Sequence, residues 1–353
     1  MATARGLIRD SITPTGLILM VTVLAALIGL FGGPVLTRVA VVALVNVVIV
    51  VGIYIFVGTS GVLSFGHIGF MAVGAYAGAI LTIPHAQRSI LLPSLPAFLQ
   101  TPTLPTLPAI VISALVAAAV AFAVAIPLVR LAGLLAGMAT FALLQIVYVV
   151  TNNWSEATGG TAGVLGIPLD TTIASAAIAA ALAILVAYLF QRSAVGLRLQ
   201  ASREDEIAAA ALGISVFRER LAAFVLSAAV VAVGGFLYGH FFGTISPTSF
   251  YVPATFATLS MLVIGGIRSL SGAVIGVLIV STLSEALVRV EAVTAVSALR
   301  ELTMSLVTLA ILILRPGGLT AGREIGDLWR RGRTRPPTIT TGSTDTFESS
   351  PKE

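Results

Sequence analysis

The sequence contains no cysteine, which excludes disulfides, thiolate metal sites and a cysteine nucleophile. Lysine is nearly absent too, Lys352 being the only one. A phosphate-cradling G-x-x-x-x-G-K-[ST] loop therefore cannot exist here, and any nucleotide-driven step needs another chain to supply the nucleotide site. Charged residues make up only 10% of the chain. The three histidines, His67, His85 and His240, stand far apart, so neither a metal site nor a cofactor is expected. No pair of carboxylates stands near a base in the way an intramembrane hydrolase would need.

What fills the chain instead is apolar. The hydrophobic fraction is 57% of 353 residues and the mean hydropathy is +1.05, against about 45–50% apolar for soluble domains. A helix needs about 20 apolar residues to cross the hydrocarbon, and the stretches 131–155, 171–191 and 221–267 carry no charge at all. The expected fold class is all-α, a polytopic transmembrane helical bundle of about 8–10 spans. Ten candidates run over 15–33, 36–57, 64–83, 108–129, 133–152, 171–191, 221–242, 253–267, 272–289 and 298–315. The third opens on the Gly/Ser-rich "GTSGVLSFGH" and the eighth is short, so either can be a broken or re-entrant helix. The run 16–30 after "MATARGLIRD" lacks a small-residue cleavage site and is read as a first, uncleaved helix.

Basic residues orient the bundle. With the N-terminus in the cytoplasm, sixteen of the 20 basic residues fall inside and only Arg38, Arg88, Arg289 and Arg300 fall outside, as the positive-inside rule expects. The pI near 10.1 does not point to nucleic acid, because these arginines are scattered between apolar runs without interleaved aromatics. The domain reading is a cytoplasmic N-terminus over 1–14, a transmembrane domain over 15–315 with a cytoplasmic loop over 192–220, and a polar cytoplasmic tail over 316–353. The tail, Arg-rich and then Thr/Ser-rich, is expected to be disordered. The proline- and leucine-rich stretch 84–108 is expected to lie along the outer membrane surface. Abundant alanine and arginine with one lysine suit a GC-rich bacterial genome, and so a bacterial inner membrane with both termini inside.

One charged segment interrupts this pattern. "SREDEIAAAALGI", Ser202 to Ile214, lies in the longest internal loop. Ser202 with Asp205 three residues on has the form of a capping box. Arg203, Glu204, Asp205 and Glu206 then fall in or beside the first turn, where the dipole favours the acids. Ala208 to Ala211 propagate the helix and Gly213 closes it. The expected product is one helix of about ten residues, about 15 Å long, which is marginal alone. It can lie on its own membrane surface through Ile207, Ala211, Leu212 and Ile214. Alternatively it is a docking peg whose small alanines, Ala209 among them, allow close approach while its acids meet basic residues on a partner.

The segment resembles the cytoplasmic coupling helix of branched-chain amino-acid ABC transporter permeases of the LivM type. Gly58 to Ile80, "GTSGVLSFGHIGFMAVGAYAGAI", is similar to that family's G-x-x-S-x-G-H-x-x-F-x-x-x-G-A-Y element, and "NNWSEATGGTAGVLGIP" to its T-G-G-x-x-G-x-x-x-I-P loop. "SAVGLRLQA", "AAFVLSAAVVAVGGFLYGHFFGTISPTSF" and "RPGGLTAG" match in the same order, so the likeness covers about 35–322. "GGIRSLSGAVIGV" departs from it: Arg268 stands where the family has glycine and Ala273 where it has proline. The resemblance implies a subunit with no catalysis of its own. It implies a second related permease, two cytoplasmic ATP-binding subunits and an extracytoplasmic solute-binding protein. ATP binding would move the coupling residues Ser202, Arg203, Glu204, Asp205, Glu206, Ala209, Leu212 and Gly213, and so switch the cavity.

Other residues carry weaker signals. Gly66, Gly74 and Gly78 give the third span a thin face for helix packing. Asn46, His67, Thr140 and Gln145 are polar groups at membrane depth, which usually face a bundle interior. They are candidates for the translocation path, with interhelical hydrogen bonding or capping as the plainer role. Glu285 and Arg289, at i and i+4, make an ordinary ion pair. Substrates in the wider family pattern include urea, short amides and nucleosides as well as apolar amino acids. A stand-alone ion-coupled secondary transporter is the alternative of another class.

Overall fold

The computed structural model of the protein describes residues 12–91, 103–131, 133–294, 299–315 and 317–320. In chain order the helices are α1 (Ile12–Phe31), α2 (Pro34–Ser60), α3 (His67–Thr82), α4 (His85–Leu91), α5 (Thr106–Leu128), α6 (Gly133–Asn153) and α7 (Ser155–Thr158). They continue with α8 (Ile173–Arg192), α9 (Ala194–Glu204), α10 (Glu206–Ala211), α11 (Val216–Phe242), α12 (Val252–Gly265), α13 (Leu270–Thr294) and α14 (Leu299–Leu314). Eight segments are long and apolar enough to cross a bilayer: α1, α2, α5, α6, α8, α11, the stretch Pro247–Gly265 ending in α12, and most of α13. Two shorter apolar helices, α3 and the 302–311 core of α14, complete the set. These are the ten segments that hydropathy predicts. The protein is an all-α polytopic membrane protein because lipid offers backbone groups no partner, and a helix satisfies them within one segment.

Local chemistry sets the ends. Pro34 starts α2 after an extended Gly33, and Gly61, at φ 73°, closes it by donating its N–H to Val57 O. Thr172 and Ser175 form a reciprocal capping box at the start of α8. The eighth span differs from its expected outline in gaining a 3-10 turn, Pro247–Phe250, ahead of α12. The connection expected over 192–220 holds two short helices, α9 and α10, and the first turn of α11. Residues 92–102 of the stretch expected along the surface, the first eleven residues and the tail from 321 onward lie outside the described residues.

The bundle is built around α2 and α11. In the most apolar stretch of α2 78% of the residues are buried, against 22% in α1, which suits a helix that is apolar on every side. Against α2, α3 and α5 packs α11, and Ser227 Oγ on α11 donates to Gly52 O on α2 at 2.7 Å. The α3–α11 crossing is backbone against backbone. A Cβ at Gly74 would stand 2.2 Å from Ala232 O, and one at Gly235 would stand 2.0 Å from Met71 O. Side chains are excluded there, the small-residue contact that brings membrane helices together.

Alternating spans give the molecule two unlike ends. At one end lie Arg130, Arg192, Arg198, Arg203, Arg218, Arg220, Arg268 and Arg315, beside α9 and α10. The other end has Arg38, Arg88 and Arg289. There an antiparallel ribbon, β1 (Val164–Leu165) with β2 (Thr244–Ile245), ties the exit of α6 to the exit of α11. His240 bonds Thr82 at 2.8 Å and Phe236 O at 2.8 Å, which joins α3 to α11 at the same end.

Candidate coupling site and the polar positions of the core

The charged segment folds as two short helices with a single extended residue between them. Ser193 caps α9, its hydroxyl accepting from Gly196 N at 3.1 Å. Ser202 is not a cap. It is buried in the last turn of α9 and donates to Leu199 O at 2.8 Å. The break falls at Asp205 (φ −153°, ψ 108°), which ends α9 and caps α10. Its Oδ1 accepts from Ile207 N and Ala208 N, both at 2.9 Å. The expected ten-residue helix from Ser202 is therefore corrected to six residues from Glu206. Asp205 satisfies two free amides of the new helix, whereas a Ser202 cap would require α9 to end one turn earlier. At the far end Gly213, at φ 81°, closes α10 by donating to Ala210 O at 2.9 Å.

The acids of the segment are engaged within the chain. Glu206 receives both terminal nitrogens of Arg220, at 3.2 and 2.7 Å. Arg220, in the first turns of α11, has a side chain only 7% exposed, so this pair clamps α10 to the central helix. Glu204 binds Arg203 at 3.0 Å and also Arg268, and Arg203 reaches Gly58 O at 2.6 Å. The Arg268 hydrogen bond, followed by that of Arg203, holds the Glu204 carboxyl below its ordinary range. Arg268, which departs from the family pattern, thus has a definite partner. What α10 offers to the outside is apolar: Ile207 is 85% and Leu212 82% exposed. Ala209 faces inward and is buried.

Just inside this clamp lies the entry to α3. Residues 61–66 are non-helical, and side chains replace the missing backbone bonds. Val62 N donates to Ser60 Oγ at 3.2 Å, and Phe65 N to Thr140 Oγ1 at 3.2 Å. His67 Nδ1 bonds Ser64 Oγ at 2.7 Å. The imidazole sits among Phe56, Phe70 and Phe224, with ring centroids at 5.5, 6.2 and 5.1 Å, and its Nε2 has no hydrogen-bond partner among the described residues. Arg220, Phe224, Phe56, Val62 and Thr140 line one small void of about 10 Å³. The clamp of the charged segment therefore shares this void with Thr140, and Phe224 stands between it and His67.

The other two lie apart. Gln145 accepts from the Tyr251 hydroxyl, whose ring stacks on Tyr148 at 3.9 Å. Asn46, half-buried on α2, makes no hydrogen bond to a described residue. Of the glycines, Gly74 and Gly78 meet Ala232 and Phe236 of α11, while Gly66 meets Thr140 O of α6, so they serve two contacts and not one face. Sequence reasoning passed over Arg220, Phe224 and Tyr251. Arg220 counted only as a topology signal, and nothing in its spacing from Glu206 marks the pair. Among the described residues no cluster of histidines and acids could hold a metal.

Three comparisons bear on this arrangement. The family model described as "Branched-chain amino acid transport system / permease component" matches residues 35–315. The high-affinity branched-chain amino acid transport system permease protein LivM of Escherichia coli K12 is 28% identical over 265 residues, 65% of this chain and 58% of LivM. LivH of Salmonella typhimurium, named as a permease protein of the same kind of system, is 32% identical over 148 residues, 41% of this chain and 46% of LivH. The matched stretch thus spans only about half of these relatives' length. No solved structure matches. With the family model matching the chain from the start of α2 to the end of α14, the charged segment included, the chain belongs to the branched-chain amino acid transport system permease family.

Proposed function

We propose that this chain is the membrane-spanning permease of an ATP-driven importer that takes up branched-chain or other apolar amino acids. Partner subunits hydrolyse the ATP, and a binding protein outside the membrane delivers the solute. A second permease completes the path, which accords with the likeness to both LivM and LivH, two differently named permeases. The arginine-rich end lies in the cytoplasm of a bacterial cell.

The observation that carries this reading is the clamped α10: an apolar tip, Ile207 and Leu212, on a short helix bonded to the central helix through Glu206 and Arg220. A six-residue helix is unstable alone, so its tip and its clamp form one lever. Docking is apolar, the acids serving to hold the lever instead of meeting the ATPase. A push on the tip moves Arg220 and the first turns of α11, and through Phe224 the entry to α3 at His67. Because α11 packs against α2, α3 and α5, its displacement reaches the helix that holds Asn46. That free amide is the best candidate to meet a polar end of the solute.

The test uses the absence of cysteine. A single Ile207→Cys is the only thiol in the chain, and crosslinking in native membranes reports what lies against it. Capture of an ATP-binding subunit supports the lever. A chain that purifies alone and takes up solute on an ion gradient overturns it in favour of a secondary transporter.

A further inference from the structure

A groove on the outer flank of the bundle lies beside the lever and takes no part in its clamp. It runs between α5 and α11, has a volume of about 450 Å³, and is lined by Ala118, Phe122, Leu221, Val225 and Ala229 with Arg218 at its charged-end mouth. From Arg218 to Ala229 is eleven residues of helix, about 16 Å at 1.5 Å each. Half of a hydrocarbon core of about 30 Å is nearly the same length. The groove is one leaflet long, apolar along its floor and cationic at the level of the headgroups.

A second arginine stands near this end of the groove, outside its lining. Arg130, at the end of α5, lies over the ring of Phe217 at 5.4 Å from its centroid, and Phe217 precedes Arg218 in the first turn of α11. Both arginines are exposed, and neither makes an ion pair with a described residue. The acids of this neighbourhood are occupied: Glu219 by Arg198 at 3.3 Å, and Glu206 by Arg220 at 2.7 Å. Other arginines at this end, Arg198, Arg203, Arg220 and Arg268, each have a carboxylate. Arg130 and Arg218 are left with charge to spare beside an acyl-sized bed.

We propose that the α5–α11 groove is a binding site for one anionic phospholipid, with an acyl chain along Phe122, Leu221 and Val225 and its phosphate between Arg130 and Arg218. Basic pockets between membrane helices bind such headgroups, at about 1 kcal/mol per arginine near the surface. A helix from another subunit laid in the groove would cover the same two cations, and desolvating them unpaired is costly. The bound lipid would brace the first turn of α11, the helix that carries Arg220.

The experiment is native mass spectrometry of the full chain, with whatever co-purifies, titrated with phosphatidylglycerol and with phosphatidylcholine of the same acyl chains. One phosphatidylglycerol per chain is expected to persist where phosphatidylcholine dissociates. Arg130→Gln with Arg218→Gln should weaken it on the order of thirty-fold, about a factor of five per arginine. Both side chains are exposed, so the lipid-free melting temperature should not change. Arg218→Gln alone, with about half of the effect on a logarithmic scale, serves if the pair folds poorly. Equal retention of phosphatidylcholine, or an undiminished affinity in the variants, overturns the site. So does glycerol phosphate raising the melting temperature as far as the lipid does. Ala222→Cys crosslinking to a second permease and not to a photoreactive lipid replaces it with a subunit interface.

Discussion

The α3–α11 crossing and the α10 clamp hold the same central helix by opposite means. At the crossing, backbones touch through Gly74 and Gly235, no charge is involved, and the contact tolerates no added atom. At the clamp, a half-exposed carboxylate holds a buried guanidinium, a bond that can lengthen, rotate and re-form. The first contact suits a part that keeps its geometry, the second a part that moves. Both stand on one helix: a rigid axis among the apolar spans and an adjustable handle at the arginine-rich end.

The largest effect is expected at the rigid contact. Gly74→Leu would force the helices apart at a cost of about 3 kcal/mol or more, and should abolish a monodisperse peak in size-exclusion chromatography of detergent extracts. A variant that elutes and melts normally would break the contrast between rigid and adjustable contacts.

The clamp comes next. Glu206→Gln leaves Arg220 buried and unpaired, at roughly 1–3 kcal/mol, less than a fully buried pair because Glu206 is half exposed. The protein should still insert while solute uptake falls at least about tenfold. Exchanging the two as Glu206→Arg with Arg220→Glu should restore part of the uptake. If neither variant alters transport in proteoliposomes, the handle is only a structural tie.

A smaller loss follows from Asp205→Ala, which removes the cap from α10 at about 1 kcal/mol. Uptake should fall several-fold, and hydrogen exchange at Ile207 and Ala208 should quicken while α11 keeps its protection. At low substrate, Asn46→Leu should reduce uptake more than Gln145→Leu does, since Gln145 already has Tyr251 as a partner. Equal uptake by Gln145→Leu and the parent would place that residue outside the path.

The smallest effect is one of pH. Glu204 is held below its ordinary value, chiefly by Arg268, so its contribution is complete above the unfolded carboxylate pKa of about 4.3. It is lost as pH falls through the depressed folded value. Melting curves across that range should show the loss in the parent and a weaker one in Arg268→Gln.

Much of this was open to reading in the sequence. Spans could be placed because the cost of apolar and charged residues in lipid adds up along a single stretch of chain, with no knowledge of neighbours. The family motifs were legible for a similar reason, being local and in order. The charged segment was seen but its helix was misdrawn: Ser202 and Asp205 both have capping chemistry, and choosing between them required knowing that Ser193 had already started a helix that buries Ser202. The polar core residues were named, but their partners were not, because Phe65 reaches Thr140 across 75 residues and Tyr251 reaches Gln145 across 106.

The sequence by itself determined that the chain is a polytopic bundle of about 8–10 spans, that its arginines collect at one end, and that a compact charged segment stands there. Each of these follows from transfer and propensity terms that depend on a residue and its near neighbours. Only the tertiary structure decided that Glu206 clamps α10 to α11, that the exposed tip is apolar, and that Arg130 and Arg218 keep no carboxylate. Those outcomes depend on which helix ends meet in space, and pairing over such separations leaves no mark in the local pattern.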